Sequence, residues 1–157
     1  MNTLWLDLED TCITPVTDGW CNFNLKNVGK IGKVIESGGF SKVNIFSFAV
    51  WNEFDVRSFN TWVRKSLEDS LGFVIDEVPT LEQDIIPSVC SLKGIHPDCL
   101  PLHEFINFFG KQDSFKMFLR QNNMKGHHTL LDDVVFDETF EWPRDGIMGR
   151  IINVDTL

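Results

Sequence analysis

The chain has 157 residues, 43% of them hydrophobic and 24% charged, with a formal net charge of −9. That size and composition suit one globular domain spanning residues 1–157 with a core of its own. The negative balance argues against passive adhesion to nucleic acid or anionic membrane, where Lys and Arg must neutralise phosphate, and no apolar run approaches the roughly 20 residues that a bilayer span needs.

The first predicted element is a strand from Thr3 to Leu8. Its run Leu4-Trp5-Leu6 is apolar without alternation, as in a sheet covered on both faces. It ends in Asp7, Glu9 and Asp10, with Thr11 behind them. Residues 12–25 carry Pro15 and the turn signal Asp18-Gly19, and read as a short insertion, a loop or small hairpin flap. A helix is predicted from Lys26 to Glu36, stopped by Gly38-Gly39. Val43 to Val50 reads as a second buried strand. Asn52 then caps a single long helix to Leu71, with Val56, Phe59, Val63, Leu67 and Leu71 as its apolar stripe and Gly72 as its stop.

Phe73 to Ile75 is a short strand candidate. Residues 76–101, with Pro79, Pro87, Pro97 and Pro101, read as an irregular second insertion. Leu102 to Phe109 and Ser114 to Gln121 read as helices broken at Gly110. Thr129 to Leu131 is a strand entering Asp132-Asp133. Asp137, Glu138 and Glu141 read as a solvated acidic loop, and Gly146 to Val154 as the last strand. Strands alternating with helices predict an α/β fold: a three-layer sandwich around a mostly parallel sheet. The cysteines form no CxxC pair. With no basic region ahead of a long apolar segment, the expectation is a cytoplasmic chain with reduced thiols.

In a parallel sheet all carboxyl ends share one edge. Residues more than a hundred positions apart then meet there: Asp7 and Glu9 from the first strand, Ser47 from the second, Asp132 and Asp133 from the later one. Clustered acids repel one another and need a compensating charge. Mg²⁺, a hard cation that takes oxygen ligands, is the expected one. The ordinary readings of the other polar residues are structural: His127 and His128 as packing groups, Lys111 and Lys116 as solvated helix charges, Phe59 and Trp62 as core or core edge.

The acid-ended strands also resemble a family. DLEDT at Asp7 to Thr11 looks like the first motif of the haloacid dehalogenase (HAD)-like hydrolases, FSF around Ser47 like their second, and LLDD at Leu130 to Asp133 like their fourth. Their third motif is a Lys at the start of a helix. Lys116 is the better candidate because it sits on a helix shortly before LLDD, and Lys111 is the other.

The resemblance implies a Rossmann-like fold and a phosphatase acting through an aspartyl-phosphate on Asp7. Glu9 would be the acid and base, Ser47 a holder of phosphate oxygen, and the Lys a charge offset. Mg²⁺ would lie between Asp7, Asp132, Asp133 and the backbone carbonyl of Glu9. The implied substrate is a phosphorylated small molecule, a nucleotide or a nucleic-acid end reached through the metal, because both insertions are too short for a large cap.

One departure stands out. The family has Asp where this chain has Glu9, and its usual small residue is replaced by Asp10. A non-catalytic HAD-like binding protein is therefore a second reading. A third is a DEDD-type exonuclease, which DxExT (Asp7, Glu9, Thr11), Asp55, and His127 with Asp132 resemble in spacing.

Overall fold

The computed structural model describes residues 1–17, 21–99 and 102–157; the Asp18-Gly19 turn and Pro101 lie outside the described residues. The strands are β1 (Asn2–Leu6), β2 (Lys42–Ile45), β3 (Gly126–Asp132), β4 (Glu138–Trp142) and β5 (Ile147–Asn153). The helices are α1 (Leu25–Gly38), α2 (Glu53–Trp62), α3 (Arg64–Leu71), α4 (Ile86–Lys93) and α5 (Leu102–Gln121). The strands form one sheet in the order β2-β1-β3-β5-β4. All neighbours are parallel except the β4–β5 pair.

Successive residues of a strand face opposite sides, and β1 uses both. Leu4 and Leu6 join Val43, Ile45 and Leu131 in a core closed by Val28 and Ile31 of α1 and by Leu67 and Leu71 of α3. Trp5 points the other way, into a core with Phe46, Leu130, Ile151, Val89 of α4, and Phe105, Phe115 and Leu119 of α5. Helices therefore cover both faces of a mostly parallel sheet, as the unbroken apolar strands required.

Trp5 is the hinge pin of the second core. Its ring meets Phe115 and Phe118 edge-on at 5.8 Å and Phe46 at 6.2 Å, the favoured aromatic geometry. Its Nε1 donates to His128 Nδ1, whose Nε2 then donates to Met124 O. All three ring nitrogens of the Trp5–His128 pair are thus satisfied, and burial lowers the His128 pKa.

Four expectations need correction. The long helix after Asn52 breaks at Val63, whose φ of −117° departs from helical values; neither Gly nor Pro marks the break. Phe73 to Ile75 contributes only an isolated bridge, Ile75 beside Val43. The region expected to be irregular holds a wide turn, Leu81–Ile85, running straight into α4. Pro87 does not forbid a helix start: it occupies the first turn of α4, where its missing N–H is not needed. Thr80, just past Pro79, caps the wide turn by accepting from Gln83 N at 3.0 Å. Finally, the acidic stretch expected as a loop forms β4. Its period-2 signal is hidden by acids: Phe140 and Trp142 pack on the second core while Thr139 and Glu141 face outward.

The described ends of the first insertion pair antiparallel, with Ile13 bridging Phe23 and Thr14 N donating to Asn22 O at 2.8 Å.

Gly149 sits opposite His128 across the β3–β5 pair. A Cβ there would lie 2.0 Å from the His128 carbonyl oxygen and 2.8 Å from the Phe140 ring. Gly149→Ala should therefore destabilise the fold by about 1–3 kcal/mol, read as a lowered urea midpoint at unchanged slope.

Candidate functional site

Sheet register builds the site. Leu6 is level with Ile45 on one side and Leu131 on the other. Asp7 N donates to Leu131 O at 3.1 Å and Phe46 N to Leu6 O at 2.9 Å. Asp7, Ser47 and Asp132 therefore emerge at one carboxyl edge. The chain steps from β1 to β2 in one direction and places β3 on the other side, so this edge is a topological switch point, where open α/β sheets bind ligands.

The third component arrives from a helix. Gly110 interrupts α5 with φ 67° and ψ 173°, a conformation essentially confined to glycine. Lys111 follows at once and is turned inward. Its side chain is 7% exposed, and its Nζ lies 2.7 Å from Asp7 Oδ1 and 2.7 Å from Asp132 Oδ2. The same ammonium stands 5.2 Å from the centre of the Phe48 ring and 5.9 Å from that of Phe46. Burial pulls the Lys111 pKa down, but Asp7 and Asp132 outweigh it and the net direction is up. Lys111 is therefore a fixed positive charge.

The turn after β1 supplies a hydroxyl. Leu8 O accepts from the amides of Thr11, Cys12 and Ile13, and Asp10 is turned to φ 62° to close the loop. Thr11 Oγ1 then lies 2.9 Å from Asp7 Oδ2 and 3.3 Å from Asp133 Oδ1. Asp132 Oδ1 accepts from Val134 N at 2.9 Å.

Asp7, Asp132 and Asp133 each offer an oxygen within 4.8 Å of the others. Burial, then the charges of Asp7 and Asp132, push the Asp133 carboxyl up to about 7. Burial also raises Asp132 despite Lys111. One ammonium thus does not neutralise three acids. Asp132 Oδ2 is buried, and its partner among the described residues is the Lys111 ammonium at 2.7 Å, which Asp7 shares. An oxygen-rich, under-compensated cluster of this kind fits a metal ion, held by Asp7, Asp132 and Asp133.

Ser47 is buried, and its Oγ accepts from Ala49 N at 3.2 Å. With Asp7, Glu9, Lys111 and Asp133 it lines a cavity of about 480 Å³ above the acids. Glu9 is on the wall of this cavity, but its carboxylate is not one of the three grouped acids.

Lys116, the lysine preferred from sequence, lies elsewhere: it pairs with Glu138 at 2.8 Å and Asp113 at 3.5 Å. Lys116 follows Lys111 by about 1.4 helical turns, which puts the two lysines on different faces, and it is Lys111 that is turned inward. Thr11, given no task by sequence beyond its motif letter, joins Asp7 to Asp133. Asp55 accepts from Trp51 N at the start of α2, and His127 lies at the amino end of β3, opposite the acidic edge. Cys12 is buried beneath the site, where burial and Asp7 raise its pKa and keep it a thiol.

No protein-family model matches the chain, nor does any curated protein or solved structure. Among the described residues no helix is long and apolar enough to cross a membrane.

Lys111→Ala leaves two buried carboxylates without their cation and should cost about 3–5 kcal/mol, part of it restored by a divalent metal. Lys116→Ala, at a partly exposed pair, should cost about 1 kcal/mol or less. Chemical denaturation of both variants, with and without metal, checks the contrast.

Asp133 gives a pH signature. Its folded pKa is raised, so the folded chain binds this proton more readily than the unfolded chain. The proton's stabilising contribution is present below the ordinary carboxylate range and is lost as pH rises through about 7. In chelator, Asp133→Asn should therefore be more stable than wild type at pH 8, and the gap should narrow as pH falls below about 7 and close only below the ordinary carboxylate range, about pH 4. Taking the difference between variants removes the opposite trend from His127 and His128, whose pKa values are lowered by burial.

Proposed function

We propose that the chain is a Mg²⁺-dependent phosphohydrolase of the HAD-like type, on a Rossmann-like three-layer fold, that cleaves phosphate monoesters through an aspartyl-phosphate on Asp7. The observation that carries this reading is the buried Lys111 ammonium shared by Asp7 and Asp132. It gathers the residues resembling the first, third and fourth motifs at one sheet edge, with Ser47 on the wall of the same cavity.

In this reading Lys111 and Thr11 orient the Asp7 carboxylate and limit its repulsion from an incoming phosphate. The carboxylate attacks phosphorus, the ester P–O bond breaks, and its electron pair leaves on the alcohol oxygen, which takes a proton from Glu9. Water then attacks the phosphoryl group and gives a proton back to Glu9. The P–O bond to Asp7 breaks, releasing phosphate and restoring the carboxylate. Ser47 and Lys111 face the phosphoryl oxygens. Mg²⁺ held by Asp7, Asp132 and Asp133 would supply further positive charge to the phosphate. The substrate class is a phosphorylated small molecule or nucleotide.

The exonuclease reading draws no comparable support. It needs Asp55 beside Asp7 and a His near Asp132, and antiparallel strands early in the chain. Here Asp55 caps a helix, His127 is at the far end of its strand, and β1 and β2 are parallel. Glu9 favours a second reading, a metal-binding protein without turnover, because one extra methylene displaces the acid.

Turnover of a generic phosphate monoester with Mg²⁺ should disappear in Asp7→Asn, while Glu9→Asp should raise kcat by up to about 10²-fold. Equal rates in wild type and Asp7→Asn would remove the phosphatase reading, and an inert wild type rescued by Glu9→Asp would favour the binder.

A further inference from the structure

A second cavity of about 660 Å³ opens beside the first. The two share Glu9, Ala49 and Trp51 on their walls, so they are adjoining chambers with the acid at the join. The second chamber is a different chemical environment. Trp51, Phe54, Phe59 and Trp62 line it with Leu8 and Ile13, and among the described residues its lining holds no Lys or Arg.

Three of its aromatic rings are unusually exposed for their size. Trp62 is 80% exposed, Phe54 67% and Trp51 42%. The ordinary reading of Trp62 as a helix aromatic was core or core edge; instead it is exposed at the end of α2, where the helix breaks at Val63, and it lines this chamber. Large apolar rings held in water beside a polar site mark a ligand surface.

Resting on the phosphohydrolase reading, we propose that this chamber is the leaving-group subsite and that the substrate is an aryl phosphate monoester with an uncharged aromatic body. Three observations converge. The volume is within the about 300–1,000 Å³ typical of small-ligand sites. The walls offer ring faces and carboxylates, Glu9 and Asp55, with no cation for a second phosphate, which disfavours bisphosphates and nucleoside polyphosphates.

The third observation is Glu9 itself. A phenol-like oxygen has a pKa of about 10, against about 16 for water. When the P–O(aryl) bond breaks, the electron pair is stable on the aryl oxygen with little help, and the proton from Glu9 can arrive late. An acid displaced by one methylene is tolerable for this ester and poor for an alkyl one.

The experiment compares naphthyl phosphate with glycerol phosphate, with Mg²⁺, in wild type, Trp62→Ala and Phe54→Ala. Both variants alter exposed side chains and leave the acids and Lys111 intact. The expected result is a loss in kcat/KM of about three- to tenfold for naphthyl phosphate, carried by KM, with glycerol phosphate unchanged. Because aryl esters are intrinsically more reactive, the variant-specific loss decides, not the preference alone. Turnover of both esters with no variant effect overturns the subsite and leaves the hydrolase.

Non-hydrolysable naphthylphosphonate, followed by tryptophan fluorescence, separates the remaining outcomes. Quenching that weakens in Trp62→Ala without turnover of any ester keeps the ligand class and removes the hydrolase. Neither quenching nor turnover removes both. A wild-type dimer that dissociates in Trp62→Ala, seen by light scattering, assigns the surface to a second copy of the chain and overturns the subsite.

Discussion

A buried ammonium held between two buried carboxylates is costly to leave incomplete: each charge has given up most of its water and depends on the other two. The rest of the fold is arranged around that dependence. Lys111 can reach Asp7 and Asp132 only because Gly110 turns the chain just before it. Gly110 can hold that turn only because both halves of α5 are anchored, by Phe105 on one side and Phe115 and Leu119 on the other. Those anchors in turn pack on Trp5 and Leu130, from the two strands that deliver the acids, and on Phe46, just past β2. The same aromatic core that fixes the helix also gives the ammonium two ring faces, from Phe46 and Phe48.

Much of this was legible because it follows from short-range pattern. An unbroken apolar run closing in acids specifies both a buried strand and the edge where it ends, and it does so for Asp7 and for Asp132. Ser47 follows from the same logic. Lys111 was harder. Two lysines on one helix differ in sequence only by position, and proximity to LLDD favoured Lys116. The deciding feature, Gly110, was visible as a break, but the direction in which it turns the next residue depends on tertiary packing. β4 and α4 were missed for opposite reasons. Acids disguised the alternation of Phe140 and Trp142, and prolines suggested irregular loops where Pro87 begins a helix.

Glu9 stands at the meeting of two environments. On one side are three acids and a lysine; on the other, a chamber walled by rings. Glu9, two residues from Asp7, lines both. Asp10 beside it takes a left-handed conformation that glycine adopts more freely and Asp tolerates. The turn after β1 thus accepts local strain in order to bring Thr11 back over Asp7.

The sheet order has a consequence for synthesis. β1, made from residues 2–6, is flanked by β2, which follows within about forty residues, and by β3, which begins at Gly126. At about 5–20 residues per second, the second edge of β1 waits on the order of ten seconds for its partner. Throughout that interval a strand reading Leu-Trp-Leu offers unpaired amides and carbonyls, the situation in which chains join edge to edge. Asp7, Glu9 and Asp10 stand at the end of that edge without their lysine. Their mutual repulsion opposes one such pairing: two of these edges joined in parallel would set six acids side by side.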